Sequence, residues 1–178
     1  MKLTLLFFLS ICNFTFAQFI TFNNIYTNNG YDYGKGICQL PDSSYALTGG
    51  SSSFNEGPSD AFLALIDSNG IYKWSKSYGG TETDWGMRVN HVPNYGYYIS
   101  GVTNSFGAGG YDFMLVKTDE NGTQEWMKTF GGLQWENLHD AIMLADTGML
   151  LVGETKSQGH GAEDLFIVRT DKNGNTLW

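Results

Sequence analysis

Cysteine, positive charge and long apolar runs are all scarce in this sequence. Of its two cysteines, Cys12 lies in an N-terminal apolar segment, so a chain processed after that segment keeps only Cys38 and cannot build an internal disulfide framework. We expect Cys38 to be a buried small hydrophobic residue. Ten Lys and Arg against 18 Asp and Glu give a formal charge of −8 without any basic stripe. This balance argues against nucleic acid and anionic lipid as partners.

The longest apolar run stands at the N-terminus. Lys2 precedes the apolar stretch Leu3 to Ile11, and Thr15-Phe16-Ala17 supplies small residues at the −3 and −1 positions. This pattern predicts a secretory signal peptide over residues 1–17, cleaved after Ala17. A lipoprotein signal that lipidates Cys12 is the alternative, but Ile11 fits it poorly. No other run reaches the roughly 20 residues of a spanning helix, so we predict a secreted or cell-surface protein without a membrane span.

A period of 52 residues runs through the rest of the chain. The residues that recur at this interval are Trp74, Trp126 and Trp178; Asp60, Asp112 and Asp164; and Gly70, Gly122 and Gly174. A fixed period of this size indicates a stacked repeat architecture. The chain then divides into a lone N-terminal strand over residues 18–26 and repeats over residues 27–78, 79–130 and 131–178, the last of them truncated.

Each repeat is predicted to contain four strands. In the second repeat they are Asp84 to His91, Tyr97 to Thr103, Asp112 to Thr118 and Gln124 to Phe130. The third strands are apolar without alternation, which indicates that both of their faces are covered. Four antiparallel strands with buried middle strands predict an all-β protein built of β-propeller blades. Gly49, Gly101 and Gly153 recur inside the second strands, where they predict a bulge or a close backbone contact.

Three blades are too few to close a propeller, which typically has about four to eight. The segment Ile20 to Tyr26 aligns with the fourth strand Tyr72 to Tyr78 and would close the ring onto its last blade. We therefore expect an incomplete ring, completed by further blades of a longer protein or by self-association. Uncovered apolar side chains such as Phe166 and Val168 on the third blade would promote that association.

The turn before each repeated tryptophan follows the pattern Asp-x-x-Gly-x-x-x-Trp, beginning at Asp67, Asp119 and Asp171. This pattern resembles the tryptophan-docking motif of quinoprotein-like propellers, in which the indole packs between adjacent blades. The whole repeat, including Tyr78-Gly79-Gly80, resembles the propeller repeats of secreted bacterial cell-surface proteins. Such proteins often carry a sorting domain for type IX secretion. The resemblance implies the fold; it leaves the function open, because propellers host many activities.

The repeated acidic residues favour structural roles. Asp67, Asp119 and Asp171 begin like calcium loops but lack the Glu at the twelfth position, so a tight Asn-Gly hairpin turn is favoured and calcium stays an alternative. Asp60, Asp112 and Asp164 occur once per blade at strand entrances and are predicted to cap turns. His91, His139 and His160 share no register position. We therefore predict no metal site, no cofactor and no catalytic residue in this chain.

One set of residues suggests a ligand site. The first strands open with Asp32-Tyr33, Asp84-Trp85 and Glu136-Asn137, and Trp135 directly precedes the last of these pairs. Acids beside aromatic rings at a rim are suited to sugar rings, although a packed aromatic beside a turn-capping acid is the alternative. The favoured function is a non-catalytic exported scaffold that binds glycan or protein ligands. The alternative is the propeller of a secreted hydrolase or quinoprotein-like oxidoreductase with its catalytic residues elsewhere.

Overall fold

The computed structural model describes residue 25 and residues 30–53 and 57–178. Within these ranges the regular structure is antiparallel β, with eleven strands and no helix. The predicted signal peptide lies outside the described residues, as does the predicted strand at residues 18–26 apart from Ile25. The all-β prediction is confirmed for the part of the chain that the structure describes.

The strands form three sheets that follow one another along the chain, and neighbouring strands in each sheet are consecutive in sequence. The first sheet contains β1 (Asp32–Gln39), β2 (Tyr45–Ser51), β3 (Asp60–Ile66) and β4 (Tyr72–Tyr78). The second contains β5 (Asp84–Val92), β6 (Gly96–Thr103), β7 (Asp112–Thr118) and β8 (Gln124–Phe130). The third contains β9 (Glu136–Met143), β10 (Met149–Thr155) and β11 (Asp164–Arg169).

The third sheet has three strands where the repeat predicts four. After β11, Thr170 and Thr176 form an isolated antiparallel bridge. The Arg169 N–H donates to the Trp178 carbonyl at 2.9 Å, and the Leu177 N–H donates to the Arg169 carbonyl at 2.7 Å. Only a few residues lie opposite β11, so this pairing does not amount to a strand. The described residues thus form three stacked sheets and no closed propeller.

A glycine in each second strand lies against a bulge in the first strand. The pairing of β5 with β6 shifts register between Gly86 and Arg88, and Gly101 lies beside that shift. A Cβ on Gly101 would overlap the carbonyl oxygen of Trp85. In the same way, a Cβ on Gly49 would overlap the carbonyl oxygen of Tyr33, and a Cβ on Gly153 would overlap that of Asn137. The prediction of a bulge or close backbone contact is confirmed.

Two apolar clusters hold the three sheets face to face. The first joins the first and second sheets through residues such as Leu63, Val89 and Ile99. The second joins the second and third sheets through residues such as Phe113 and Leu138. Every residue of β7 is buried, because this strand lies in the middle sheet and contributes to both clusters. Burial on both faces explains why its sequence shows no alternation.

Two of the three repeated tryptophans, Trp74 and Trp126, pack on the turn of the following sheet. Trp74 is half-buried and meets Tyr97 edge-on at 6.3 Å between ring centroids. A Cβ on Gly122 of the second sheet would lie 2.8 Å from the Trp74 ring, so only a glycine allows this approach. Trp126 repeats the arrangement with Gly174 of the third sheet. Trp178, at the same repeat position, is 67% exposed.

The Asp-x-Asn-Gly segments form tight turns. Asp119 Oδ1 accepts hydrogen bonds from the backbone N–H groups of Asn121 at 2.9 Å and Thr123 at 2.7 Å. Gly122 has a φ of 74°, which glycine adopts without steric penalty. The hydrogen bond from the Thr123 N–H holds the pKa of Asp119 below its ordinary value against the opposing effect of burial, and the hydrogen bond from the Asn121 N–H lowers it further. The carboxylate is therefore already engaged by the backbone.

The apolar face expected on the third sheet consists of other residues than predicted. Val168 is buried and Phe166 is half-buried, because both point towards the second sheet. Leu165 and Ile167, which alternate with them along β11, are exposed. The expectation that Phe166 and Val168 are uncovered is therefore wrong by one residue. The uncovered face exists, but it points in the opposite direction.

Candidate functional site

The acids that open the first strands are tied into the scaffold. Asp84 is fully buried and accepts hydrogen bonds from the Gly80 N–H at 2.9 Å and the Ser105 hydroxyl at 2.6 Å. Glu136 is also fully buried and accepts from the Gly132 N–H at 2.7 Å and the Thr155 hydroxyl at 2.5 Å. In this structure, these two carboxylates are therefore not available to accept hydrogen bonds from a ligand. Polar contacts to a ligand have to come from other groups.

Asp32 takes the equivalent place in the first sheet and lies at the surface. Its carboxylate accepts hydrogen bonds from the hydroxyls of Ser51 and Ser53. All three first-strand acids thus hold the start of their strand to the loop that follows the second strand. This arrangement agrees with the turn-capping alternative stated for these positions.

Glu136 also faces a second buried acid across a sheet boundary. Gly131 lies between Asp112 Oδ1 and Glu136 Oε2, and a Cβ there would overlap both. Burial raises the pKa of Asp112 against the hydrogen bond from Ala108, and the charge of Glu136 raises it further. Burial also acts to raise the pKa of Glu136, but hydrogen bonds from Thr155, Ser157 and Gly132 hold it below the ordinary value. Asp112 is therefore the member of the pair that keeps its proton to higher pH.

We expect Asp112→Asn to stabilise the protein at neutral pH by about 1 kcal/mol, because a neutral amide removes the repulsion and can donate to Glu136. When folding raises the pKa of a carboxyl group, the folded protein becomes less stable as the pH rises through that pKa. The gain should therefore shrink as the pH falls through the raised pKa of Asp112, because its carboxyl then becomes protonated. Urea unfolding of both proteins across this range measures the difference.

The control for this prediction is Asp164→Asn at the same repeat position in the third sheet. Among the described residues, Asp164 has no counterpart of Glu136 from a following sheet. The substitution should therefore give no pH-dependent gain. If Asp112→Asn is less stable than the wild type at neutral pH, the hydrogen bonds that the Asp112 carboxylate accepts outweigh its repulsion with Glu136.

Four aromatic rings form a continuous row along the edge where the first strands begin. Tyr33 meets Trp85 edge-on at 6.1 Å between ring centroids. Trp85 stacks on Tyr111 at 5.9 Å with 25° between the ring planes, and Tyr111 meets Trp135 edge-on at 5.5 Å. Trp85 is half-buried, whereas Trp135 is 57% exposed. The row therefore begins with partly buried rings and ends at the exposed ring of Trp135.

The outer part of this row lines a cleft of about 480 Å³ between the second and third sheets. The aromatic part of its wall consists of Trp85, Tyr111 and Trp135, and its polar and charged residues are Glu136, Asn137, Glu154, Lys156 and Glu163. The Lys156 Nζ atom lies 5.8 Å from the centroid of the Trp135 ring and 3.2 Å from a carboxylate oxygen of Glu163. The cleft combines aromatic surface with polar groups of both signs, as ligand sites do.

The cleft brings together three of the six predicted ligand residues. Trp85, Trp135 and Glu136 line it; Asp32, Tyr33 and Asp84 do not. The sequence analysis names Asn137 beside Glu136 but misses Tyr111, Glu154, Lys156 and Glu163. A signal was present, because these residues occupy repeat positions where the three repeats differ: Tyr111 aligns with Ser59 and Glu163, and Glu154 aligns with Gly50 and Val102. Most positions that hold the sheets together are instead apolar in every repeat, as at Leu63, Leu115 and Ile167.

Glu154, an acidic residue of the cleft, does not have the raised pKa that a general acid needs. Hydrogen bonds from the Asn137 amide and the His139 ring hold the pKa of Glu154 below its ordinary value. A general acid at neutral pH needs the opposite shift. Within residues 30–53 and 57–178, no three His, Cys, Asp or Glu side chains are grouped as a metal site requires. Two of the histidines in these residues, His91 and His139, each place Nε2 near a glutamate carboxylate oxygen, at 2.9 and 3.3 Å respectively.

Comparison with known proteins gives no assignment: no family model and no curated protein matches this sequence. In the part of the chain that the structure describes, no helix has the length and apolar character to cross a bilayer. The arguments for function therefore rest on the geometry of the cleft and on the sequence.

Proposed function

We propose that this chain belongs to an exported β-propeller-type scaffold that binds a glycan without catalysis. The observation that carries the proposal is the row of aromatic rings ending at the exposed Trp135 in the cleft. Pyranose rings present flat C–H faces, which pack against indole and phenol faces, and their hydroxyls need both donors and acceptors. Asn137, Glu154, Lys156 and Glu163 supply these around Trp135.

The charge of the cleft favours a neutral glycan. Glu154 and Glu163 outnumber Lys156, and Lys156 is already paired with Glu163. The whole chain carries a formal charge of −8. An acidic polysaccharide would therefore meet repulsion at short range in the cleft and at long range from the protein. The signal-peptide pattern at residues 1–17 supports an extracellular setting, where polysaccharides are encountered.

The proposal is tested by titrating neutral and acidic polysaccharides while recording tryptophan fluorescence. A neutral glycan should change the emission, and Trp135→Ala should weaken its binding about fivefold or more. Stacking of a nucleic-acid base on an aromatic side chain contributes about 1–3 kcal/mol, and we expect a comparable contact from a sugar ring. Trp135 is the right position because most of its ring is exposed, so its removal leaves the packing of the scaffold intact. Trp85 is less suitable, since it packs in the second cluster.

The matched control is Tyr72→Ala, which removes an aromatic residue of similar exposure, 52% against 57%, from strand β4, outside the cleft. It should bind the glycan as the wild type does. If Trp135→Ala binds every responding glycan with unchanged affinity, the cleft is not the site. If only protein ligands bind, and Trp135→Ala weakens them, the cleft is a protein-recognition site and the glycan proposal is wrong.

A further inference from the structure

The residues that line the cleft carry more negative than positive charge. The carboxylates are those of Glu136, Glu154 and Glu163, and the ammonium group is that of Lys156. Glu136 is fully buried and acts on the cleft through its charge alone, whereas the side chains of Glu154 and Glu163 are exposed enough to contact a ligand. Because the aromatic wall displaces water on one side, these charges attract a cation more strongly than the same charges on an open surface.

Hydrogen bonds keep one of these carboxylates ionised. Glu154 Oε1 accepts a hydrogen bond from the Asn137 amide at 3.2 Å, and Glu154 Oε2 lies 3.3 Å from His139 Nε2. These contacts hold the pKa of Glu154 below its ordinary value, with the Asn137 amide as the larger cause. A carboxylate with a lowered pKa keeps its charge in mildly acidic solution. Glu154 is therefore a persistent negative charge on the wall of the cleft.

The side chain of Lys156 shows how the cleft accommodates an ammonium group. Its Nζ atom lies 5.8 Å from the centroid of the Trp135 ring, within the range of a cation–π contact, and 3.2 Å from a carboxylate oxygen of Glu163. An ammonium group at this place contacts an aromatic ring and a carboxylate at once. In the second sheet, Asn104 and Tyr111 occupy the repeat positions of Lys156 and Glu163, and neither carries a charge. The charged arrangement is therefore a property of this cleft and not of the repeat.

We propose that the ligand of the cleft is a glycan that carries amino groups, and that it places one protonated amine beside Trp135, close to the carboxylates of Glu154 and Glu163. This inference rests on the proposed glycan function and specifies the kind of sugar. A neutral glycan meets no repulsion in the cleft, but an amino glycan is also attracted by the carboxylates and by the indole face. Its amine takes the contacts that Lys156 makes in the free protein, so Lys156 competes with the ligand. The formal charge of −8 adds attraction at long range.

The test compares a glucosamine oligosaccharide with the glucose oligosaccharide of the same linkage and length, at mildly acidic pH and low salt. The two ligands differ in an amino group that replaces one hydroxyl on each sugar, so the ratio of their affinities measures the contribution of the amine. Calorimetric titration of the full chain should show binding that is at least about fivefold tighter for the glucosamine oligosaccharide. Added salt should reduce this ratio, because it screens the attraction.

The two partners of the Lys156–Glu163 ion pair should change this ratio in opposite directions. Lys156→Met removes the competing ammonium group and should raise the ratio about threefold, whereas Glu163→Gln removes an attracting carboxylate and should lower it by a similar factor. Disruption of the cleft would instead weaken binding in both variants. The matched control is Glu125→Gln, which removes an equally exposed glutamate, 49% against 48%, that also pairs with a lysine but lies outside the cleft. It should leave the ratio unchanged.

Equal affinities for the two oligosaccharides would overturn the inference, as would a shift of the ratio in the same direction by Lys156→Met and Glu163→Gln. A linear polyamine that binds as tightly as the glucosamine oligosaccharide would overturn it as well, because the sugar would then contribute nothing. So would a glucosamine oligosaccharide that does not bind. The proposed function is judged separately, by whether neutral glycans bind and whether Trp135→Ala weakens that binding, so its failure can be told from the failure of this inference.

Discussion

Replacing Gly101 by alanine is expected to destabilise the protein by more than about 3 kcal/mol, a large fraction of the stability of a typical domain. Gly101 lies in β6 beside the bulge of β5, and a Cβ there would overlap the carbonyl oxygen of Trp85. The other close atoms, the Trp85 carbonyl carbon and Gly86 Cα, also belong to the backbone. No side chain can move aside, so either the bulge must change or the two strands must separate.

The comparison for Gly101→Ala is Gly34→Ala in β1. Gly34 also lies at a bulge, but a Cβ built on it has no heavy atom within 4 Å. Gly34→Ala should therefore change the free energy of unfolding by no more than about 0.5 kcal/mol. Urea unfolding measures both values, with circular dichroism as the probe. Equal effects of the two substitutions would show that loss of backbone freedom, and not the overlap with Trp85, explains the need for glycine.

The strands of the second sheet follow closely from sequence because several local signals agree there. The 52-residue register, the Asn-Gly turn at Asn121 and the strand glycine Gly101 all point to the same boundaries. The structure then differs only in extending β5 to Val92 and starting β6 at Gly96. The tight turn and the glycine contact are properties of the backbone over a few residues. Local sequence is sufficient to predict features of this range.

The direction of side chains in β11 could not be predicted in the same way. The run Leu165 to Val168 is apolar throughout, so its sequence carries no alternation that distinguishes one face from the other. Which face of β11 is buried depends on what packs against it. Of the residues that alternate along this run, Phe166 and Val168 pack against a neighbouring sheet. A comparison with the second repeat would have helped, but Phe113 to Val116 is buried on both faces and is equally uninformative.

The candidate site was predicted in part because aromatic residues are conspicuous and their polar neighbours are not. Trp85 and Trp135 were found from their place beside the first-strand acids. Tyr111 directly precedes the third strand of the second sheet, and Glu154 lies in the second strand of the third sheet, so only the packing of those sheets brings them together. Sequence predicts Asp84 and Glu136 as ligand groups because it shows the residue type and not its burial. In the structure, the backbone N–H and hydroxyl groups around both carboxylates donate hydrogen bonds to their oxygens.

Replacing Trp126 by alanine is expected to lower the free energy of unfolding by about 3 kcal/mol, the lower end of the range for a large aromatic core residue. The lower end applies because the indole is only half-buried. Its ring meets Tyr98 edge-on at 5.9 Å between centroids, and Gly174 of the third sheet lies against its other side. Removing the ring therefore weakens both the second sheet and its contact with the third sheet.

The matched control is Trp178→Ala, which removes the same residue type at the same repeat position in the third sheet. Trp178 is 67% exposed, and its hydrogen bond with Arg169 uses the backbone carbonyl, which the substitution retains. Under conditions where the chain is monomeric, the loss should stay within about 0.5 kcal/mol. Urea unfolding of both variants gives the comparison. If Trp178→Ala is as destabilising as Trp126→Ala, the tryptophan stabilises its own sheet, and docking on the following turn contributes little. A large difference would instead locate the stabilisation at the boundary between sheets, where Gly174 covers Trp126.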